Sequence, residues 1–348
     1  MVSVPGSGRA LMRVETHQEV IGRLQAEIDK ALRWITLDET FALLDFPDHP
    51  NVGDSAIWLG ELAFFAKAGR QPAYVCSLGN IDWDGLDRAV PHGVIFIHGG
   101  GNFGDVWPRP QAFREEVLAR YPGRRVVQLP QSIHFTSSAA LARTARIIGE
   151  HGQLTLLVRD RNSYDLATRE FPCQVILCPD MAFYLGALPR SSKLEDKTLL
   201  LLRTDKEKAD IGSTAGIAGE NDIVRADWII EPQATRRNAR RRMILSSVLH
   251  AGLSRHRVRE EHFRRLATSR VDRGLAMLSP HPYIVSDRLH VHILSTLLGA
   301  RHCMLDNNYG KITRFIDTWS TQWIGALRSE DLAGALSLRS AAHRESVS

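Results

Sequence analysis

Arg288 and His290, an arginine and a histidine two residues apart, could do acid/base chemistry on an anionic substrate. A guanidinium binds a phosphate or carboxylate through two parallel hydrogen bonds, and an imidazole exchanges a proton near neutral pH. The two residues follow the short apolar run 283–285 and precede apolar residues at helical spacing. This pattern predicts a strand-to-helix turn, where a helix N-terminus offers free N–H groups to an anion.

The same stretch also has a purely structural interpretation. An aspartate before a helix is most often an N-cap, and a neighbouring arginine is often only its surface partner. We therefore interpret Asp287 as a cap of this helix or as a partner of Arg288. A functional interpretation of the arginine and histidine needs support from the rest of the chain.

Predicted strands and helices alternate six times between residues 41 and 180, which is typical of parallel strands joined by helices. In the segment PDHPNVGD, either Asp54 or Ser55 could cap the helix predicted over 55–68. The segment HGGGNFGD lets the backbone approach a ligand closely, but it is neither a GxGxxG fingerprint nor a P-loop. The polar residues expected along one rim of this sheet are Asn51, Asp54, His98, Asn102, Gln131, His134, Arg159 and Asp180.

The second half of the chain predicts another α/β unit after a charged boundary at 188–197. We expect a loop over 204–226, a short strand at Trp228, and helices over 234–250 and 257–278. The predicted fold class is α/β, with two Rossmann-like doubly wound domains facing a cleft. The expected bounds are 1–190 for the first domain, 198–330 for the second and 331–348 for a helical tail. Because a cleft between two such domains suits a transfer reaction, we expect the first domain to bind the acceptor and the second to bind the donor of the transferred group.

Composition limits the class of protein. A hydrophobic content of 44% with 24% charged residues is typical of a folded soluble protein, and four cysteines without metal-ligand spacing indicate a reducing compartment. The sequence shows neither a signal peptide nor a membrane span, so we expect a cytoplasmic protein, with association at the cytoplasmic face of the membrane left open. No required metal is implied, since HExxH and clustered Cys/His ligands are absent.

Positive charge is concentrated between residues 236 and 273. Such a run is either a solvated helix face or a face for an anionic acceptor, a lipid head group or nucleic acid. Aromatic residues are nearly absent from it, so nucleic-acid binding by base stacking is not expected.

Several motifs taken in order resemble those of the polysaccharide pyruvyl transferases, which place ketal-linked pyruvate from phosphoenolpyruvate on sugars of exopolysaccharides and cell-wall glycans. No single motif is specific, but their order and spacing together are. The resemblance implies a fold similar to glycosyltransferases of the two-Rossmann-domain (GT-B) type. The matching motifs are NVGD (51–54), HGGGNFGD (98–105), LPQSIHF (129–135), VRDRNS (158–163), CPDMAF (178–183), SDRLH (286–290) and NNYGK (307–311).

The resemblance implies roles for particular residues. Arg288, Leu289 and His290 would bind the donor and transfer a proton, with His290 as general acid or base. The second donor arginine would be Arg159, with Arg161 as the competing choice, and Lys311 could add positive charge. The resemblance implies no cofactor beyond phosphoenolpyruvate as co-substrate. The residues that would face the sugar are Asn51, Asp54, His98, Asn102, Gln131 and His134.

Two other functions stay open from the sequence. The same fold would support a glycosyltransferase that uses a nucleotide sugar. A non-catalytic protein could instead bind an anionic glycan through the basic stretch 236–273. The first alternative requires a base-stacking face and a ribose-binding carboxylate, and the second predicts binding that weakens steeply with salt.

Overall fold

Parallel strands alternate with helices along the chain, as the sequence predicts. The computed structural model describes residues 14–37, 39–204, 222–232, 255–306, 310–319 and 323–344. The helices are α1 (His17–Leu32), α2 (Val52–Lys67), α3 (Trp83–Ala89), α4 (Pro108–Arg120), α5 (Ser138–His151), α6 (Arg161–Glu170), the 3-10 helix η1 (Met181–Leu185), α7 (Arg255–Leu278), α8 (Leu289–Leu298), α9 (Lys311–Trp319) and α10 (Leu332–Arg344). The strands are β1 (Ala42–Phe46), β2 (Tyr74–Ser77), β3 (Ile95–Ile97), β4 (Gly100–Phe103), β5 (Val126–Ile133), β6 (Leu154–Val158), β7 (Gln174–Leu177), β8 (Thr198–Leu201), β9 (Ile223–Arg225), β10 (Tyr283–Ser286), β11 (His302–Met304) and β12 (Ala326–Arg328).

The strands form two parallel sheets with the same pattern of connections. The first has the order β2-β1-β3-β5-β6-β7, with β4 paired to β5, and the second has the order β9-β8-β10-β11-β12. In each sheet the chain first adds a strand on one side and then crosses to the other, between β1 and β3 and between β8 and β10. Ligands of open α/β sheets bind beyond the carboxyl ends of the strands at such switch points. The predicted α/β fold with parallel sheets is confirmed.

Helices cover both faces of each sheet, which explains the continuous apolar runs of the strands. Helices α3 to α6 cover the outer face of the first sheet, and α10 covers the outer face of the second. Between the sheets lie α1, α2, α7, α8, α9 and η1. Strand β8 shows the alternation expected of a strand, because Leu199 and Leu201 face this middle layer while Leu200 faces α10.

The middle layer belongs to both sheets. One apolar cluster contains Phe96 and Leu157 of the first sheet as well as Leu201 and Ile284 of the second. Helix α7 follows β9 in the chain, yet it packs on α2 and β2. The division into domains 1–190 and 198–330, and the GT-B arrangement around a cleft, stay predictions.

Several local predictions differ from the structure. Helix α2 begins at Val52 and is capped by the Asn51 side chain, which accepts a hydrogen bond from the Gly53 N–H, so the cap is neither Asp54 nor Ser55. Trp228 lies in a turn instead of a strand, because the Asp227 carboxylate accepts a hydrogen bond from the Ile229 N–H at 3.0 Å. The three-residue strands β9 and β12 have too short a pattern to predict. The helix expected over 234–250 lies outside the described residues.

Helix α7 contains the described part of the basic stretch, and its arginines support the loop between β1 and α2. Arg270 is fully buried and donates to Glu231 Oε1 at 2.8 Å and to the Pro47 carbonyl at 3.0 Å. Arg273 donates to the Pro50 carbonyl at 2.8 Å. These two arginines therefore fix the loop that leads from β1 into α2. No helix in the described part of the chain, α7 included, combines the length and apolar character that crossing a membrane requires.

We expect the second sheet to lose stability in acid because of a buried histidine pair. His292 Nδ1 lies 2.8 Å from His302 Nε2, and both rings are completely buried. Burial lowers the pKa of both imidazoles, to about 4 for His302, so the unfolded chain binds protons that the folded chain excludes. Stability should be full above about pH 6.5 and fall towards pH 4, by up to about 1.4 kcal/mol per pH unit for each histidine.

Urea unfolding of the wild type and of His302→Gln at pH 7.5, 6.5 and 5.5 measures this effect. The variant should show a shallower pH slope than the wild type, while His92→Gln, which changes an exposed histidine, should keep the wild-type slope. Equal slopes for the wild type and His302→Gln would contradict the assignment.

Candidate functional site

The carboxyl ends of the two sheets meet over the N-terminus of α2. His290, in the first turn of α8, packs so closely on α2 that a Cβ atom on Gly53 would lie 2.3 Å from its Cγ and Nδ1. Lys311, at the start of α9, donates to the Gly101 carbonyl at 3.2 Å. The glycine of the NVGD motif is therefore required for contact with the histidine of the SDRLH motif, although 237 residues separate them.

A buried carboxylate joins an arginine from one sheet to a histidine from the other. Asp180 Oδ2 lies 2.6 Å from Arg159 Nη1 and 3.5 Å from His290 Nε2. Arg159 Nε also donates to Ser132 Oγ at 2.9 Å. Burial alone would raise the pKa of the Asp180 carboxyl, but the His290 ring and the Arg159 guanidinium hold that pKa well below its usual range. Asp180 therefore stays ionised and orients both of its partners.

The structure separates the two candidate arginines of the VRDRNS motif. Arg159 is 2% exposed and belongs to the Asp180 cluster. Arg161 is exposed in the first turn of α6, and its backbone N–H donates to Thr318 Oγ1 at 3.3 Å. Of the two, Arg159 lies beside His290.

Gly101 leaves space for two cationic groups. A Cβ atom at this position would lie 2.8 Å from Arg159 Nη2 and 3.4 Å from Lys311 Nζ. None of the described residues accepts a hydrogen bond from Arg159 Nη2, so this group is available to a ligand. Arg159, Lys311 and the His290 ring thus surround a place suited to an anion with several oxygens.

Arg288 and Leu289 occupy the adjoining end of the second sheet. Arg288 is the N-cap residue of α8, and its Nη2 donates to Asp227 Oδ1 at 3.2 Å. Leu289 packs in the apolar middle layer. Of the two roles predicted for Asp287, the cap of α8 is wrong, because α8 has no side-chain cap and the Asp287 carboxylate accepts a hydrogen bond from the Arg203 backbone at 2.7 Å. Asp287 therefore links the ends of β8 and β10 at their switch point. Its role as a partner of Arg288 stays a prediction.

A cavity of about 490 Å³ opens at the switch point of the first sheet, beyond β1 and β3. Asp54, His98 and Asn102 line it, together with His49 and Asp45. Burial would raise the pKa of the Asp54 carboxyl, but the nearby rings of His49, His290 and His98 lower it. The cavity therefore contains an ionised carboxylate that lies near His290 and Arg159.

Asn51 serves α2 and Asp54 at the same time. Its Oδ1 accepts the Gly53 N–H at 3.0 Å, and its Nδ2 donates to Asp54 Oδ2 at 2.8 Å. The side chain is thus occupied within the protein, and it fixes the direction of the Asp54 carboxylate.

His98 is held by a residue that the sequence did not single out. Its Nδ1 lies 2.8 Å from Glu61 Oε2, and the other Glu61 oxygen accepts the Gly99 N–H at 2.8 Å. Burial opposes protonation of His98, but the Glu61 carboxylate raises its pKa. Among the described residues, His98 Nε2 has no hydrogen-bond partner, and His98 lines the cavity. A lone glutamate in the apolar run WLGELAFF was the available signal for Glu61.

A buried polar network positions Asn102. Arg114, 1% exposed, donates to Gln128 Oε1 at 2.6 Å and to Asn102 Oδ1 at 2.9 Å. Gln131 is fully buried, donates to Asn102 Oδ1 at 3.0 Å, and accepts the Asn102 N–H at 3.2 Å. Gln131 therefore supports Asn102 from below the cavity. Arg114 was not predicted from the sequence, because its charge gives no sign of burial.

His134 lies past the end of β5, outside the set of residues that line this cavity. Its backbone N–H donates to the Phe103 carbonyl at 3.0 Å, and a Cβ atom on Gly104 would lie 1.8 Å from the His134 carbonyl. The residue thus holds β4 against β5, and a role in acceptor binding stays a prediction.

The site can bind an anion and move a proton. His290 Nε2 has no hydrogen-bond partner within the described ranges, and its 3.5 Å separation from Asp180 is long for a strong hydrogen bond. Three His, Cys, Asp or Glu side chains placed to hold a metal ion are not found among the residues with described positions. The arrangement therefore suits the binding of an anion beside Arg159 and Lys311 and the exchange of a proton by the His290 ring.

Known proteins resemble this chain over most of its length. The family model described as polysaccharide pyruvyl transferase matches residues 51–309. "Pyruvyl transferase 1" of Schizosaccharomyces pombe is 30% identical over 297 residues, which are 80% of this chain and 69% of that protein. "Putative pyruvyl transferase EpsO" of Bacillus subtilis is 31% identical over 277 residues, 79% of this chain and 84% of that protein.

A solved structure is also similar. KP1_0663 from Klebsiella pneumoniae superposes with a TM-score of 0.58 at 18% identity, covering 88% of this chain and 98% of that chain. This likeness concerns the fold alone. The family match and the two relatives together show that the chain belongs to the polysaccharide pyruvyl transferases and is an enzyme of that family.

Proposed function

We propose that the enzyme transfers pyruvate from phosphoenolpyruvate to two hydroxyls of a sugar in an exopolysaccharide or cell-wall glycan precursor, forming a pyruvate ketal. The observation that carries the proposal is the convergence of Arg159, Lys311 and His290 beside the cavity at the first switch point. The cavity volume of about 490 Å³ suits a small-molecule ligand such as a sugar unit.

The donor carries a phosphate and a carboxylate, and both require cations. Arg159 Nη2 and Lys311 Nζ lie on the same side of Gly101 and would bind oxygens of one anion. Arg288 and the N-terminus of α8 would complete the donor site from the second sheet. Phosphoenolpyruvate would thus be a co-substrate, and the enzyme would need no other cofactor.

The proposed reaction begins with proton transfer from His290 to the methylene carbon of phosphoenolpyruvate. The C2 atom becomes an oxocarbenium-like centre, and a sugar hydroxyl attacks it. The bond from C2 to the phosphate oxygen then breaks, and a neighbouring hydroxyl closes the ketal. Of the two hydroxyl protons released, one replaces the proton given to carbon and the other leaves with phosphate.

The acceptor would lie in the cavity at the ends of β1 and β3. The Asp54 carboxylate and Asn102 amide would bind hydroxyls of the sugar, and His98 lines the same cavity. A free glycan and a lipid-linked saccharide both fit this chemistry. We propose a cytoplasmic enzyme that associates peripherally with the membrane surface when its acceptor is lipid-linked, with the two sheets in a GT-B-like arrangement and no nucleic-acid partner.

Incubation with labelled phosphoenolpyruvate and a panel of aryl and lipid-linked glycosides tests the proposed function. We expect release of phosphate and a product whose mass corresponds to a pyruvate ketal. In parallel, phosphoenolpyruvate should raise the melting temperature in a thermal-shift titration, whereas UDP- and GDP-sugars should not. Stabilisation by a nucleotide sugar alone would favour the glycosyltransferase alternative.

His290→Ala should lower kcat by about 10²–10⁴-fold at saturating donor, because a positioned general acid contributes a factor of that size. Steady-state kinetics with the best acceptor of the panel measures the change. His92→Ala, at an exposed position, is the matched control and should keep wild-type kinetics. Near-normal turnover of His290→Ala with saturating phosphoenolpyruvate would exclude the general-acid role.

Arg159→Lys should raise the KM for phosphoenolpyruvate by about 10- to 100-fold, because a hydrogen bond to a charged group contributes about 1.5–3 kcal/mol and lysine lacks the guanidinium fork. Arg161→Lys is the matched control two residues away, and its KM should not change. An equal effect of both substitutions, or none from the first, would remove Arg159 from the donor site.

A further inference from the structure

Asp45, the fourth residue of β1, has a backbone conformation that L-residues rarely adopt. Its φ is 70°, and no other non-glycine residue in the described part of the chain has a positive φ. Aspartate tolerates this left-handed region better than most side chains, but the conformation still costs free energy. Such outliers persist where the surrounding structure enforces them, and they cluster at functional sites.

The unusual conformation occurs where the carboxyl ends of β1 and β3 separate. Asp45 lines the same 490 Å³ cavity as Asp54 and His98, although it is only 5% exposed. None of the described residues donates a hydrogen bond to its carboxylate. His98 lines the same cavity, and its buried Nε2 has no hydrogen-bond partner among the described residues. A cavity-lining carboxylate that receives no hydrogen bond from the described residues indicates a ligand with hydroxyl groups.

We propose that Asp45 is the general base that takes the proton from the attacking sugar hydroxyl. This inference rests on the proposed function and adds a catalytic residue to it. Asp54 has a different task in the same cavity, because Asn51 already holds its carboxylate. It binds and orients hydroxyls without exchanging protons.

The charges around the two aspartates support this division. Burial raises the pKa of Asp45 to about 7, with Asp54 and Glu61 acting in the same direction and with His98 and Arg114 opposing it. The pKa of Asp54 is lowered instead. When two titratable groups of one site are shifted apart in this way, the group near neutral pH is suited to proton transfer and the other stays charged.

The proton balance of the step is complete. As the hydroxyl oxygen forms its bond to C2, its proton passes to the Asp45 carboxylate, and His290 has already supplied one proton to the methylene carbon. The C2–O bond to phosphate then breaks, and Asp45 returns its proton to the departing phosphate. The second hydroxyl closes the ketal, and its proton restores His290.

Asp45→Asn tests the inference through the pH dependence of turnover. With the wild type, kcat/KM for the acceptor should rise as the pH increases through about 7, because the base must be ionised. In the variant, the rise of kcat/KM with pH should disappear, and kcat should fall by about 10²–10⁴-fold. The KM for phosphoenolpyruvate should change less than twofold. Asp165→Asn, at an exposed position of α6, is the matched control and should behave as the wild type.

A second measurement does not depend on activity. Since the folded-state pKa of Asp45 lies above the ordinary value of 3.8, the wild type loses stability as the pH rises from about 4 to about 7. Asp45→Asn removes this cost, so its melting temperature should exceed that of the wild type by an amount that grows over the same interval. If Asn folds poorly, Asp45→Gly, which suits the positive φ, replaces it.

The outcomes distinguish this inference from the proposed function. A wild type that forms no ketal with any acceptor overturns both. An active wild type with an Asp45→Asn variant that keeps its turnover and its pH limb overturns only the role of Asp45. A melting difference that does not change with pH also overturns it, because the carboxyl would then titrate as an ordinary exposed group.

Discussion

The site depends on one buried charge, the carboxylate of Asp180. An ionised carboxylate away from water is costly unless it is paired, and removing one partner of a buried pair destabilises a protein by several kcal/mol. Arg159 of the first sheet and His290 of the second both lie against the same Asp180 oxygen. The ion pairs that compensate this charge therefore also hold Arg159 and His290 in position relative to each other. Folding and assembly of the site are thus coupled.

Close packing of backbone on side chain is the second constraint. Gly53 contacts the His290 ring, and Gly101 contacts Arg159 and Lys311. Any Cβ atom at Gly53 would collide with the ring, so the glycines act by leaving space and not by turning the chain. Cationic groups held this near to backbone cannot move far, and a fixed array of charges stabilises a transition state better than one that must reorganise.

Much of the fold and part of the site could be predicted from the sequence. The alternation of apolar runs with helical periods predicts parallel sheets, and polar residues after strands predict a rim, which is where Arg159, Asp180 and His98 lie. The choice between Arg159 and Arg161 could not be made, because one ends a strand region and the other starts a helix, and only the fold shows which is buried.

Other features required the structure because they rest on contacts distant in sequence. In FALLDF, Asp45 has the pattern of an ordinary strand residue, because a hydrophobic pattern carries no information about its positive φ. Glu61 is buried only because His98 and Gly99 approach it from β3. The sequence predicted the wrong N-cap for α2, because Asn51, Asp54 and Ser55 all have side chains that can cap a helix. Only the structure shows that Asn51 accepts the Gly53 N–H.

Because α7 packs on α2, the first sheet depends on residues that are synthesised later. During translation the first sheet emerges well before Arg270 and Arg273, which support its loop at Pro47 and Pro50, and Lys311 emerges later still. A nascent chain that has completed only the first sheet therefore lacks the arginines that support the loop beside the cavity, and it contains Arg159 but neither His290 nor Lys311. The groups that meet at Asp180 and Gly101 are therefore all present only after the second half of the chain has been made.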